Sequence, residues 1–379
     1  MILGALVADA AAMGLHWIYD QQRIQDVAPE APEFFTPDKQ NYDGVPAYFA
    51  HPTRTAGDLS QYGEQAMVML RTLVAGGGHY DRAAFADRFR AHFGYGGAYV
   101  GYIDHATRDS LDNMRRFEDA AHACAKNLDF DGDPQIPKAL VERALPMLQR
   151  YSGNMLLQMF EAEISTNDSD SNVVAFGLTL INSLRALPAM TGANDLQLPA
   201  IAKLPALVAM HAARGSKGEN AFDQDVASAV RVTNDNPVAA HYSHIAAHMM
   251  LTAVTSGDAA ASVNAGRSVA GAQAADLFQT AAEMAGQSNP TVTKHFGMSC
   301  DLPFGLPAAA HNIATATSFC DAVRSNIYSG GDTCGRAILV GAVMGAVHGM
   351  GGTKGIPDAW IDRLGVKDEA KQLSSMLLH

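Results

Sequence analysis

Apolar residues recur at intervals of three and four along most of this chain, the spacing that places them on one face of an α-helix. The pattern predicts helices over 64–75, 81–93, 137–149, 173–187, 223–231, 238–254, 259–285 and 308–328. Strand-like alternation bounded by turn residues is rare, and abundant alanine adds to the helical preference. The expected fold class is all-α. Residues 27–58 carry Pro29, Pro32, Pro37, Pro46 and Pro52 with little periodicity, and read as a long, packed surface loop of the kind that often serves function. Residues 126–136 read as an inter-helix turn, 165–172 as a capping stretch and 287–306 as a second long connection. The DFDGD run in 126–136 lacks the terminal glutamate of a calcium loop, so it is a solvated turn.

Two stretches repeat tiny residues every fourth position: Gly4, Ala8 and Ala12, then Ala337, Gly341, Gly345 and Gly349. Residues four apart share a helix face, so each stretch presents a smooth ridge that lets another helix backbone come close. The ends of both helices, and the polar groups beside them, would then lie deep in one centre.

Composition narrows the function. The chain has 379 residues, 48% hydrophobic and 17% charged, enough to bury a large core in one α-domain or two smaller ones. A net charge of -12 disfavours nucleic acid as a main partner. Cys124, Cys300, Cys320 and Cys334 form no CxxC pair, so neither a zinc site nor a disulfide framework is indicated and a reducing cytoplasm is the simplest setting. The apolar start lacks the basic residues of a signal peptide and is interrupted by Asp9, and no uncharged apolar run is long enough to span a membrane. Nothing identifies a protein partner.

Three polar clusters stand where helices should begin: Gly57-Asp58-Leu59-Ser60-Gln61-Tyr62-Gly63-Glu64, Thr233-Asn234-Asp235-Asn236-Pro237 and Gly330-Gly331-Asp332-Thr333-Cys334-Gly335. Asp, Ser and Thr cap the free N–H groups of a helix start, and capping alone explains each cluster taken separately. Two glycines before Asp332 also imply a special backbone path, suited to a sugar or phosphate at a buried helix start. His241, His244 and His248 share one helix at spacings that can bind metal. No acidic residue stands among them as in HExxH, so they read as a polar face beside a cleft.

In order, these motifs resemble the ADP-ribosylglycohydrolase family. Gly330-Gly331-Asp332-Thr333 before a small-residue helix is similar to the family's GGDTDT. Ala8-Asp9-Ala10 is similar to its opening GDALG, residues 57–62 stand where it has TDDTQM, Lys203-Leu204-Pro205 where it has R-x-x-P, and Thr233–Pro237 where it has TH-x-D-P. The match runs from residue 1 to about 350, and the HW-x-YD and GDLSQYGE runs resemble the J1-crystallin-like branch. The resemblance implies one all-α domain over 1–379 with a central cleft, two Mg²⁺ ions held by the TDDT and DTDT segments, and an ADP-ribose-like ligand.

This chain departs from the family at the metal ligands. Asp58 and Asp332 remain, but Leu59, Cys334 and Gly335 replace oxygen ligands, and His16 falls at the position of the family's N-terminal glutamate. Magnesium wants about six oxygens, so at most one ion, between Asp58 and Asp332, is expected. Asp58, Asp332 and His16 are the candidate catalytic residues. Trp17, Tyr62, Glu64, Gly330, Gly331, Thr333, Asn234 and Asp235 are candidates for substrate contact, with Tyr19, Asp20 and Cys334 near the same cleft. Two functions follow from the resemblance: hydrolysis of a glycosidic bond in an ADP-ribose-type or other nucleoside or sugar ligand, or a non-catalytic, crystallin-like role as a binding or structural protein.

Overall fold

The computed structural model describes residues 1–127, 191–215 and 219–378. The helices expected at 137–149 and 173–187, the capping stretch at 165–172 and nearly all of the turn at 126–136 lie outside them.

The described residues form an all-α fold, with no strand and only isolated β-bridges. The helices of the first part are α1 (Ile2–Ala12), α2 (Gln21–Val27), α3 (Gln61–Ala75), α4 (Arg82–Phe93) and α5 (His105–Asn127). After the undescribed stretches come α6 (Leu204–Arg214), α7 (Glu219–Val230), α8 (Pro237–Ser256), α9 (Ala259–Val269) and α10 (Gly271–Glu283). The last part holds α11 (Asn289–Phe296), α12 (Leu302–Thr315), α13 (Phe319–Tyr328), α14 (Thr333–His348), α15 (Asp358–Arg363) and α16 (Lys367–Leu378). No described helix is long and apolar enough to cross a membrane.

Side-chain caps start most of the helices that matter here. Asp20 accepts from the Arg23 N–H, Ser60 from Tyr62, Asn236 from Val238 and Ala239, and Asp332 from Gly335. Each satisfies donors that the first helical turn leaves open. Local chemistry also explains where the periodicity misled. The 259–285 pattern divides into α9 and α10 because Gly271 takes φ +57° and turns the chain. The 308–328 pattern divides because Ser318 caps a new helix, α13. The connection expected at 287–306 contains α11, started by the Ser288 cap, and the first turns of α12.

Helices α1 and α14 cross through the middle, and their small-residue ridges meet. A Cβ on Gly4 would lie 2.2 Å from the Gly341 carbonyl oxygen, and one on Gly341 would lie 2.3 Å from that of Gly4. Around this pair α14 also packs on α8, α12 and α13, while α1 packs on α3. Both helices are buried almost throughout, which is why neither shows a polar face in the sequence.

The proline-rich loop wraps back over this crossing. Tyr19 N–H donates to the Pro46 carbonyl at 2.9 Å and Tyr48 N–H to the Trp17 carbonyl at 3.0 Å. These bonds deliver His51, only 2% exposed, to the ends of α1 and α14.

Candidate functional site

Asp332 lies at the start of α14, fully buried. Its Oδ1 accepts the Gly335 N–H at 2.8 Å and its Oδ2 accepts the Tyr62 hydroxyl at 2.7 Å. Burial raises its pKa above the usual carboxylate range, against the pull of those two bonds and of Arg336. The Cys300 thiol sits among Asp332, Trp17 and Tyr62, and burial with the Asp332 charge pushes its pKa well up.

His16 follows α1 and reaches the same point. Its Nδ1 accepts the Cys334 N–H at 3.3 Å and lies 3.4 Å from the Thr333 hydroxyl. Burial, then His51 and Arg336, holds its pKa well below the ordinary histidine value. The ring is therefore neutral at pH 7, and its 3.8 Å approach to Asp332 is not an ion pair. Because Nδ1 accepts a backbone N–H, the ring proton belongs on Nε2. That Nε2–H is buried with no partner.

Several neighbours share this condition. Trp17 Nε1, both ring nitrogens of His51, both amide atoms of Gln61 and the Gln65 Oε1 are buried and unpartnered among the described residues. The first of these form one group. His16 stacks on Trp17 at 4.3 Å between centroids and lies 5.5 Å from His51 and 6.0 Å from Tyr62. Tyr102 and Tyr48 close over Trp17 at 4.9 Å and 5.6 Å. His51 is neutral too, its pKa pushed down to about 3 by burial. Trp17 itself has φ +63°, costly for an aromatic residue, and is held by its N–H bond to the Gly331 carbonyl and by Tyr48 on its own carbonyl. An unmet buried donor costs about 1–3 kcal/mol. A nest containing several of them has the chemistry of a place for water or a hydroxyl-bearing ligand.

A second acid stands beside the nest. Asp9, fully buried on α1, accepts the Ser60 hydroxyl at 2.5 Å and the Ser60 N–H at 2.8 Å. Gly63 is a glycine because a Cβ there would lie 2.3 Å from Asp9 Oδ2. Burial raises the Asp9 pKa to about 7. A polar seam continues on the far side of Tyr62: Gln65 bonds Asp104 and Thr107, and the buried Lys203 donates to Thr233. Thr233 in turn donates to Asn234, which donates to Asp195. Burial lowers the Lys203 pKa to about 7.

His16, Trp17, Tyr62, Thr333 and Asp332 come together. Asn234 joins the seam. Asp58 faces another way: its Oδ2 accepts the Thr55 N–H and hydroxyl at 2.8 and 3.0 Å, and the preceding Gly57 carbonyl accepts the Gly365 N–H at 2.9 Å. Glu64 pairs with His92 at 3.0 Å and Arg54 at 3.5 Å, and Asp235 approaches Arg231 at 3.8 Å, near the surface. Gly330 and Gly331 adopt positive φ, but their N–H groups donate to the Ile327 and Ile18 carbonyls. They permit a close approach to Met298 and Ile18 and leave no free N–H pair for a phosphate. Sequence reasoning missed Asp9, His51, Asp104, Tyr102 and Cys300 as neighbours of the site. Of these only Asp9 had a signal, its place in a family-like motif.

This donor set does not fit magnesium. An ion of that kind needs about six oxygens near 2.1 Å. The carboxylate of Asp332 is engaged by Tyr62 and Gly335, its neighbours include an imidazole, two thiols and the Arg336 guanidinium, and the carboxylate of Asp9 beyond Cys334 is engaged by Ser60. Elsewhere, Asp223, His244 and His248 form a group that could hold an ion of another type.

Comparison with known proteins agrees with this architecture. The chain belongs to the ADP-ribosylglycohydrolase family, whose model matches residues 1–379. It is similar to Crystallin J1A of Tripedalia cystophora, 26% identical over 99% of this chain and 95% of that protein. It is similar also to Crystallin J1B of the same animal, 23% identical over 96% of this chain and 90% of that protein. Among solved structures, an ADP-ribosylglycohydrolase-related protein complex superposes with a TM-score of 0.56, covering 100% of this chain and 95% of that one at 15% identity, a likeness of fold.

Proposed function

We propose that the nest around Asp332 binds the ribosyl ring of an ADP-ribose-type or nucleoside-type ligand, without magnesium, and that glycosidic hydrolysis there depends on Asp332. The observation that carries this reading is the cluster of unpartnered buried polar atoms on His16, Trp17 and His51. Neutral imidazole and indole donors suit sugar hydroxyls, and the Trp17 and Tyr102 rings suit a sugar or base face. Raised by burial, the Asp332 carboxyl can hold a proton and hand it to the leaving oxygen or nitrogen as the glycosidic bond breaks. A water adds at the glycosidic carbon, and its released proton restores the Asp332 carboxyl. Magnesium, which the family resemblance implies, has no part in this proposal. Asp58 enters it as the cap of its own turn.

A non-catalytic relative is the second reading. It is favoured by one observation: both oxygens of Asp332 are already engaged, as a helix cap and with Tyr62, leaving no free carboxylate to activate water. Calorimetry of the chain with ADP-ribose, adenosine and ribose in EDTA, beside chromatography of the products, separates the two. Binding that survives EDTA and falls at least about tenfold in Trp17→Ala and His16→Ala supports the site. Product release lost in Asp332→Asn supports hydrolysis, and binding without turnover supports the second reading. Absence of binding by all three ligands at millimolar concentration overturns the proposal.

A further inference from the structure

The three-residue group of Asp223, His244 and His248 lies on α7 and α8, separate from the Asp332 nest. His244 and His248 stand four residues apart and so share one face of α8. Their rings lie 4.3 Å apart between centroids. From α7, the Asp223 Oδ1 meets His244 Nδ1 at 3.2 Å and His248 Nε2 at 3.1 Å. Two imidazoles thus aim at one carboxylate oxygen, with all three ligand atoms within 4.8 Å of one another.

We propose that these residues hold a borderline divalent cation of the zinc class. Zinc binds imidazole nitrogen and carboxylate oxygen at about 2.0–2.2 Å, so ligand atoms around a tetrahedral ion stand about 3.3 Å apart. The two measured separations are close to that edge, and a small outward movement of the carboxylate admits the ion. Imidazole donors favour zinc, nickel or copper over magnesium. All three side chains are partly exposed, at 32%, 28% and 41%, so the ion has an entry path and the fourth position is open to water. The Phe222 ring lies edge-on to both His211 and His248, at 5.3 and 5.5 Å, and gives the site an apolar floor. His241, one turn earlier, is directed away, with its Nε2 on the Ala270 carbonyl at 2.8 Å.

The ion would clamp α7 to α8 and stabilise the folded chain by mass action. On binding, each nitrogen that donates its N–H to Asp223 must become a lone-pair donor, so a neutral ring shifts its proton to its other nitrogen and a protonated ring releases one to solvent. Calorimetric titration of the full chain with ZnCl₂, and separately with MgCl₂, tests the assignment. The expected result is a single zinc site, weakened at least about tenfold in Asp223→Ala and in His248→Ala, and no heat from magnesium at that site. Zinc should also raise the melting temperature of the wild type and not of the two variants. An anomalous peak between α7 and α8 in zinc-soaked crystals supplies a check that needs no variant. Zinc affinity unchanged in both variants, or an anomalous peak only elsewhere, overturns the proposal. The Asp332 nest is untouched by these substitutions, so ribosyl-ligand binding should survive them whatever the zinc result.

Discussion

Replacing Gly341 by alanine tests the helix crossing on which the site rests. In an isolated helix the change would stabilise by about 1 kcal/mol, because glycine is the poorer helix former. Here the new Cβ would lie 2.3 Å from the Gly4 carbonyl oxygen and 2.4 Å from the Ala8 Cβ. Ordinary contacts need roughly 1 Å more. The first neighbour is backbone and the second a Cβ on a buried helix, so neither can rotate away. Relief requires α1 and α14 to move apart against the helices packed on them. Overpacking of this kind costs about 3 kcal/mol, the upper end of its usual range, leaving a net loss of about 2 kcal/mol after the propensity gain. Gly266→Ala is the matched control. Its Cβ meets the Met249 Cγ and Sδ at 2.6 and 3.0 Å and the Ile245 Cγ2 at 3.3 Å, buried side chains that can shift by rotation where a backbone cannot. That variant should lose clearly less than Gly341→Ala, because side-chain rotation and the propensity gain offset part of the clash. Urea denaturation read by circular dichroism gives both values from the midpoints at constant slope. A Gly341→Ala midpoint equal to or above wild type would refute the close crossing.

Asp9 predicts a pH effect: its folded pKa near 7 exceeds its unfolded value near 3.8, so folding takes up a proton and stability falls as pH rises between those values. The full effect is about 4 kcal/mol, complete above pH 7 and absent below pH 4. Asp9→Asn should flatten the wild-type slope between pH 5 and 7, and an unchanged slope there counts against a buried, protonated Asp9. Tyr62→Phe removes the hydroxyl that Asp332 accepts and should cost about 1–3 kcal/mol, with the Asp332 proton held to higher pH, readable by carboxyl-selective NMR. A wild-type midpoint in that variant would show that the bond is not made. Arg324→Ala strands Glu33, which is 7% exposed and held at 2.6 and 2.9 Å, and should cost about 2 kcal/mol at pH 7, part of which Glu33→Gln in the same chain should restore. A double variant no more stable than Arg324→Ala would refute the ion pair.

How much of this was legible beforehand differs from residue to residue. The all-α class was readable because periodicity and capping are local properties, and the 64–75 and 81–93 patterns correspond to α3 and α4. The small-residue ridges announced a close crossing, since only glycine and alanine let backbones touch. Whether α9 and α10 were one helix or two was not legible. That depended on a positive φ at Gly271, which the periodicity runs straight through.

The site divides along the same physical line. The sequence, set beside the family motifs it resembles, led to the expectation that few magnesium ligands remain, because the chemical identity of Leu59, Cys334 and Gly335 is fixed wherever they lie. It also determined that His16 and Asp332 would approach, because both flank the ridged helices. Tertiary structure alone decided that Asp58 turns to Thr55, that Gly330 and Gly331 spend their N–H groups on Ile327 and Ile18, and that His51 joins His16 from a loop. It likewise decided that Asp223 completes a pair of histidines whose spacing was visible from the start. Periodicity and residue identity are written into consecutive positions, whereas a hydrogen bond or a metal ligand set depends on directions in space that distant segments settle only when they pack.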